Sequence, residues 1–227
     1  MLRAFFQAFG MLGVPALRGI VAVSLAIAVV SFIVLWIGIA FAFQHLPTVG
    51  WRPLDWLIDF LGVGGVLVLS WLLFPAVLTM VMGFFFDRVA TLVEAVYYPG
   101  RGASRRQSIR EAVAIGLRLM LASIVLNLLA VPIYLMIPGL NVFVYLGLNG
   151  YLWGREYFEV VALRRLDIDG VRAVRHRFSG RVFFAGTMIA GIFALPLINL
   201  IAPVIAVAFM VQVFENLRGL ARAETVA

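Results

Sequence analysis

The chain is predicted to be an all-α integral membrane protein, with two full transmembrane helices, two re-entrant helical hairpins and short amphipathic cytoplasmic helices. Three observations carry that prediction. Four long stretches hold no charged residue: Gly19–Gln44, Phe60–Phe86, Leu119–Gly154 and Val182–Phe214, of 26, 27, 36 and 33 residues. Hydrophobic residues make up 64% of the chain and charged ones 13%, and the mean hydropathy is +1.07. A soluble domain is about half apolar and a quarter charged, so a soluble core is excluded. Finally, of the 18 basic residues, all arginine, only Arg52 falls in the segment between the first two runs. The whole of 1–227 reads as a single membrane domain.

The first two runs, 19–44 and 60–86, are each long enough for a single span, which needs about 20 apolar residues. The connecting segment His45–Asp59 holds the turn formers Pro47, Gly50 and Pro53. Pro75 is expected to kink the second span. Ala40-Phe41-Ala42 has the form of a signal-peptide cleavage site, but the run before it is far longer than a signal h-region of about 7–15 residues. It reads as a retained span. Segments 87–118 and 155–181 hold six and seven arginines. By the positive-inside rule only 45–59 faces outward, and both termini are cytoplasmic.

Runs 119–154 and 182–214 must each begin and end on the arginine-rich side. Two spans and a turn need about 44 residues, more than either run has. Removing a turn leaves arms of about 16 residues, or roughly 24 Å at helical rise, against a hydrocarbon core of about 30 Å. The arms are therefore expected to dip in and turn back, at Pro138, Gly139 and Asn141 in one hairpin and at Pro196 and Asn199, with Pro203 beyond, in the other. Both tips read P-x-x-N, and Phe158-Glu159 recurs as Phe214-Glu215. That pattern suits an internal repeat of hairpins or two unrelated turns of similar chemistry.

Leu2, Phe5, Phe6, Phe9 and Leu12 recur at helical spacing, so 1–14 is expected to lie along the membrane surface. Asp87–Tyr98 places Val89, Leu92, Val93 and Val96 on one face of an amphipathic helix continuing from the second span, with Asp87, Thr91 and Glu94 elsewhere. Pro99-Gly100 ends it. Ser104-x-x-Gln107 reads as a capping box, and Asp167 or Asp169 as a helix cap. Gly147, Gly150 and Gly154 make a smooth face for close helix packing.

The chemistry excluded is as informative. With no cysteine, disulfides and thiolate sites are absent. His45 and His176 have no metal-ligand partners at helical spacing, and no nucleotide-binding or hydrolase motif is present. No metal, cofactor or enzymatic activity is expected. The net charge of +7 is that of arginines flanking membrane segments, and nucleic acid is not an expected partner. None of the four runs contains the Asp, Glu or His that proton-coupled transporters place inside a span. A passive pathway or a non-transport role fits better. Ser24, Ser31, Asn127, Asn141, Asn149, Asn199 and Gln212 remain as neutral polar groups for a pathway or for bonds to neighbouring helices.

Several stretches taken together resemble the CysZ sulfate-permease family, within the wider etoposide-induced membrane protein superfamily. They are Pro15-Ala16-Leu17-Arg18, Phe86–Gly100, Ile137-Pro138-Gly139-Leu140, Leu148–Glu159, and Pro196–Pro203. The resemblance implies two spans and two hemi-penetrating hairpins, a homo-oligomer in the bilayer of the inner membrane, and passive entry of sulfate or a related oxyanion for assimilation. It also implies an anion contact at the start of the first long helix, at Ala16, Leu17, Arg18 and Gly19, with Ala16 standing where such proteins have glycine. Arginine binds tetrahedral oxyanions through paired donors, and a helix N-terminus adds backbone N–H groups. A membrane scaffold or assembly factor of the same superfamily is the alternative.

Overall fold

A computed structural model describes residues 1–44, 62, 64–66, 70, 74, 77–78, 80–105 and 109–226. The described residues form helices and no strand. In chain order these are α1 (Leu2–Gly10), a 3-10 turn (Met11–Gly13), α2 (Pro15–Gln44), α3 (Phe86–Tyr97), α4 (Ile109–Met136), a 3-10 turn (Pro138–Leu140), α5 (Asn141–Ala162), α6 (Ile168–Arg177), α7 (Ser179–Phe193), α8 (Pro196–Asn199) and α9 (Ala202–Val226). The outer segment 45–59, most of the second run and Gln107 of the capping box lie outside the described residues. The chain divides into two compact units, Met1–Leu17 with Phe86–Ala227, and Arg18–Phe85.

Three described helices are long and apolar enough to cross a membrane: Pro15–Phe41, Leu117–Met136 and Ala202–Ala221. The last two belong to the two expected hairpins. Both of those helices run past the uncharged stretches. α4 begins ten residues before Leu119, and α9 continues beyond Phe214 through Glu215 to Val226. Charge-free length therefore underestimates helix length here, because arginine and glutamate are good helix formers that extend a helix into the interface. α7, with 15 residues, is about 22 Å long at helical rise.

The larger unit is built around α9. Its residues Ala202 to Glu215 are buried without interruption, and α1, α3, α5 and α7 pack on it. On α1 the buried residues are the small ones, Ala4 and Ala8, while Leu2 and Phe6 are exposed. The expected aromatic stripe is thus split: Phe5 meets Phe209 edge-on at 5.5 Å, and Phe6 points away. Small residues win the interface because they let the backbones approach.

A turn at Phe84–Phe85 separates α3 from the helical residues before it. The expected continuous helix is broken there, so α3 buries Val89, Ala90 and Val93 together with Glu94, and leaves Val96 exposed. The helix ends at Tyr97, and Gly100 follows with φ +87°, a left-handed value that costs glycine little.

α5 and α7 make the closest contact in the unit. A Cβ on Gly154 would sit 2.6 Å from the Val182 carbonyl oxygen and 3.3 Å from the Gly186 Cα. One on Gly186 would overlap the Gly150 carbonyl oxygen and lie 2.5 Å from the Gly154 nitrogen. Gly147 faces open space. The seam is flanked by Trp153 and Phe193, whose rings tilt together at 4.3 Å.

Candidate functional site

The structure places Ala16, Leu17, Arg18 and Gly19 in the first turn and a half of α2, with Pro15 as its first residue. Proline suits that position, since its missing N–H has no intrahelical acceptor there. Leu17 is buried and donates its N–H to the Val14 carbonyl at 3.0 Å, while Ala16, Arg18 and Gly19 are exposed. Further along α2, Ile20, Ser24 and Ala28 are buried on one face, and the Ser24 hydroxyl has no hydrogen-bond partner.

The tip residues fall in turns. Pro138 and Gly139 lie in the 3-10 turn between α4 and α5, and Asn141 opens α5 with its side-chain oxygen buried and unpartnered. Pro196 opens α8 and Asn199 closes it, donating its backbone N–H to the Leu195 carbonyl at 2.7 Å. Pro203 is in the first turn of α9. The other neutral polar groups divide. Ser31, Asn127 and Asn149 each bond to the carbonyl four residues earlier in their own helix. Gln212 is buried with its amide nitrogen unpartnered.

What sequence reading missed is the fate of the arginines. Glu94, Glu159 and Glu215 are all buried, one each on α3, α5 and α9, and each is met by guanidinium groups. Arg165 reaches Glu94 at 2.7 Å and Arg164 reaches it at 3.2 Å. Arg164 also donates to Thr91 Oγ1 and the Asp87 carbonyl and pairs with the Asp87 carboxylate. Arg101 meets Glu215 at 2.5 Å. Burial, and after it Glu215, raises the nearby Tyr98 hydroxyl above its ordinary pKa. Glu215 and Glu159 close the Phe-Glu repeat in space: Phe158 and Phe214 meet edge-on at 5.9 Å. The signal was available in the sequence as Phe-Glu recurring after each second arm, but the partners of Glu94 and Glu215, 70 to 114 residues away, leave no local trace.

The third glutamate is held differently. Arg155 Nε donates to Glu159 Oε1 at 3.0 Å, one turn away on α5, and Arg175 Nε on α6 stands 3.7 Å from the same oxygen. Burial tends to lower the Arg155 guanidinium, but Glu159 outweighs it and raises its pKa. Asp167 caps α6 by accepting from the Gly170 N–H at 2.9 Å, which sets the helix so that Arg172 and Arg175 share a side. Two adjoining cavities open here. One of about 290 Å³ is lined by Tyr151, Arg155, Arg175, Ser179, Gly180, Val182 and Phe183. The smaller one adds Arg118, Arg172 and Glu159 to the shared Arg155 and Arg175. Arg172 and Arg175 at i, i+3 beside Arg155 at i−4 from a glutamate were visible in the sequence as spacing; their convergence was not.

Among the described residues no group of His, Cys, Asp or Glu could hold a metal ion. The family model described as sulfate transporter CysZ/etoposide-induced protein 2.4 matches residues 4–203. No curated protein and no solved structure matches the chain.

Proposed function

Because the chain belongs to the sulfate transporter CysZ/etoposide-induced protein 2.4 family, a transporter family rather than an enzymatic one, we propose that it carries sulfate or a like oxyanion passively across the inner membrane for assimilation. The family match over 4–203 is the observation that carries this reading. The chain's charge distribution supports it. The apolar stretches hold no acid that would repel an anion, and the basic residues are arginines suited to a tetrahedral oxyanion. Buried carboxylates do occur, and Glu215 falls inside the span-length part of α9, but each is matched by arginine.

In this reading Ala16, Leu17, Arg18 and Gly19 form the entry to the first long helix, where Arg18 meets the anion. The tips around Asn141 and Asn199 turn within the membrane, both termini are cytoplasmic, and copies of the chain assemble into a homo-oligomer. The scaffold alternative draws less support. Gly150 and Gly154, which would offer a partner helix a smooth face, are already occupied by Gly186 of the same chain.

Radiolabelled sulfate uptake into proteoliposomes tests the proposal. Uptake above that of empty vesicles, without a proton gradient and reduced at least several-fold by Arg18→Ala, is expected. Folded protein that admits no sulfate would overturn it. Labelling of cysteines introduced at positions 141 and 199 tests the hairpins: free access from the periplasm would make them full spans.

A further inference from the structure

We propose that the cleft between α5, α6 and the start of α7 is an oxyanion-binding site, distinct from the entry at Arg18. It deepens the oxyanion reading above, although its test does not require transport.

The cleft is lined by four guanidinium groups, Arg118, Arg155, Arg172 and Arg175, and by the carboxylate of Glu159, while Arg172, half exposed, also pairs with Asp169 at 3.4 Å. Around Glu94, Arg164 and Arg165 donate to the carboxylate, to Thr91 and to several backbone carbonyls, although Arg164 Nε is itself buried without an acceptor. In the cleft two guanidinium groups share the one oxygen Glu159 Oε1. Arg175 Nε is buried and has no hydrogen-bond acceptor, and Glu159 Oε1, 3.7 Å away, is already taken by Arg155. Both side chains are largely buried, at 14% and 26% exposure. Holding Arg155 and Arg175 largely out of water around one carboxylate is costly, and an anion in the cavity they line completes the cluster.

The rest of the cleft suits that anion. α7 begins at Ser179 with no side-chain cap, and Ser179 and Gly180 line the larger cavity. The positive end of a 15-residue helix is therefore turned toward the same space as Arg155 and Arg175. Guanidinium donors paired with a hydroxyl and backbone N–H groups match a sulfate or phosphate group. Val182, Phe183 and Tyr151 make the outer wall apolar. The oxyanion could thus arrive free, as sulfate, or on an anionic lipid headgroup, the usual guest of basic pockets beside membrane helices.

The test uses full-length protein in neutral detergent. Calorimetric titration with sodium sulfate, against sodium chloride at equal ionic strength, reads the free ion. Native mass spectrometry of protein mixed with phosphatidylglycerol or phosphatidylcholine reads the headgroup. The double variant Arg155→Gln/Arg175→Gln should weaken sulfate binding, or phosphatidylglycerol retention, at least tenfold, while Arg3→Gln changes neither. A response to sulfate identifies a free ion, and a response to phosphatidylglycerol alone identifies a lipid. Ser179→Asp serves as the second variant. An acidic residue in the first turn favours the helix but repels an anion, so it should lose the ligand while keeping the wild-type melting temperature. If Ser179→Asp and every folded arginine variant bind both ligands as the wild type does, the site does not exist. Failed sulfate flux with the cleft's binding intact would count against transport and not against the cleft.

Discussion

α4 and α9 both contain a 20-residue stretch able to cross a membrane, and their surroundings are opposite. The α4 stretch is the more apolar, with mean hydropathy 2.2, yet only 6% of it is buried; the α9 stretch, at 1.5, is 72% buried. Hydropathy measures a helix's tolerance of lipid, not its need for protein neighbours. In α4 the large side chains Leu121, Leu128, Leu129 and Leu135 are exposed and suit lipid tails. In α9 the small residues Ala202, Val204, Ala206, Val207, Ala208 and Val211 are fully buried, with Ile205, Phe209 and Met210 among them. Within a membrane, association is driven by close packing rather than by escape from water, so the helix with small residues takes the centre.

The largest test of that contrast lies at the charged end of α9. Glu215→Ala leaves Arg101 without its buried partner and should cost about 3–5 kcal/mol. Thermal unfolding in detergent measures it, with Arg3→Ala as an exposed control expected within about 0.5 kcal/mol.

Next come the apolar positions. Phe209→Ala, at a fully buried site against Phe5, should cost about 3–5 kcal/mol, whereas Leu128→Ala, 66% exposed on α4, should change stability by less than about 0.5 kcal/mol. A loss of 2 kcal/mol or more at Leu128 would mean that α4 also packs on protein, and the contrast would fall.

Gly186→Ala should be intermediate, about 1–3 kcal/mol, because its methyl group would collide with the α5 backbone at Gly150 and Gly154. Gly147→Ala, facing open space, should be neutral or slightly stabilising.

The smallest effect concerns the groove between α4 and α5, where Glu156 lines a cavity of about 370 Å³ with Leu119, Ser123, Ile124, Asn149, Leu152 and Trp153. Glu156 is exposed at the mouth of this groove, and desolvation by its apolar walls, and secondarily Glu159, raises the carboxyl above its ordinary pKa. The folded state therefore holds its proton longer than the unfolded one, and stability falls as pH rises from the unfolded carboxylate range through the folded value. Glu156→Gln should raise the melting temperature at neutral pH and leave it unchanged below pH ~4. An equal gain at both pH values would remove Glu156 from the explanation.

The membrane class, the helical fold and the turns at 138–140 and 196–199 were legible in the sequence because each has a local cause. Uncharged runs mark membrane helix, and the helices break at Pro138-Gly139 and at Pro196. The C-terminal helix end was less legible, since Glu215–Val226 continues a helix whose charge had marked a boundary, whereas the helix expected to carry Arg110 and Glu111 into the third apolar run is present as α4. Glu94 was assigned to the polar face of α3 because no periodicity announces a buried acid. Its burial depends on Arg164 and Arg165, 70 and 71 residues away.

By itself, then, the order of residues determined that this chain lives in a bilayer, which family it resembles and where two of its helices break, all matters of local solvation and backbone stiffness. Only the tertiary structure decided which helix occupies the centre, which glycines touch, and which arginines are consumed by glutamates and which four gather around a cleft. Those outcomes rest on contacts between distant segments, where shape and charge must match in three dimensions.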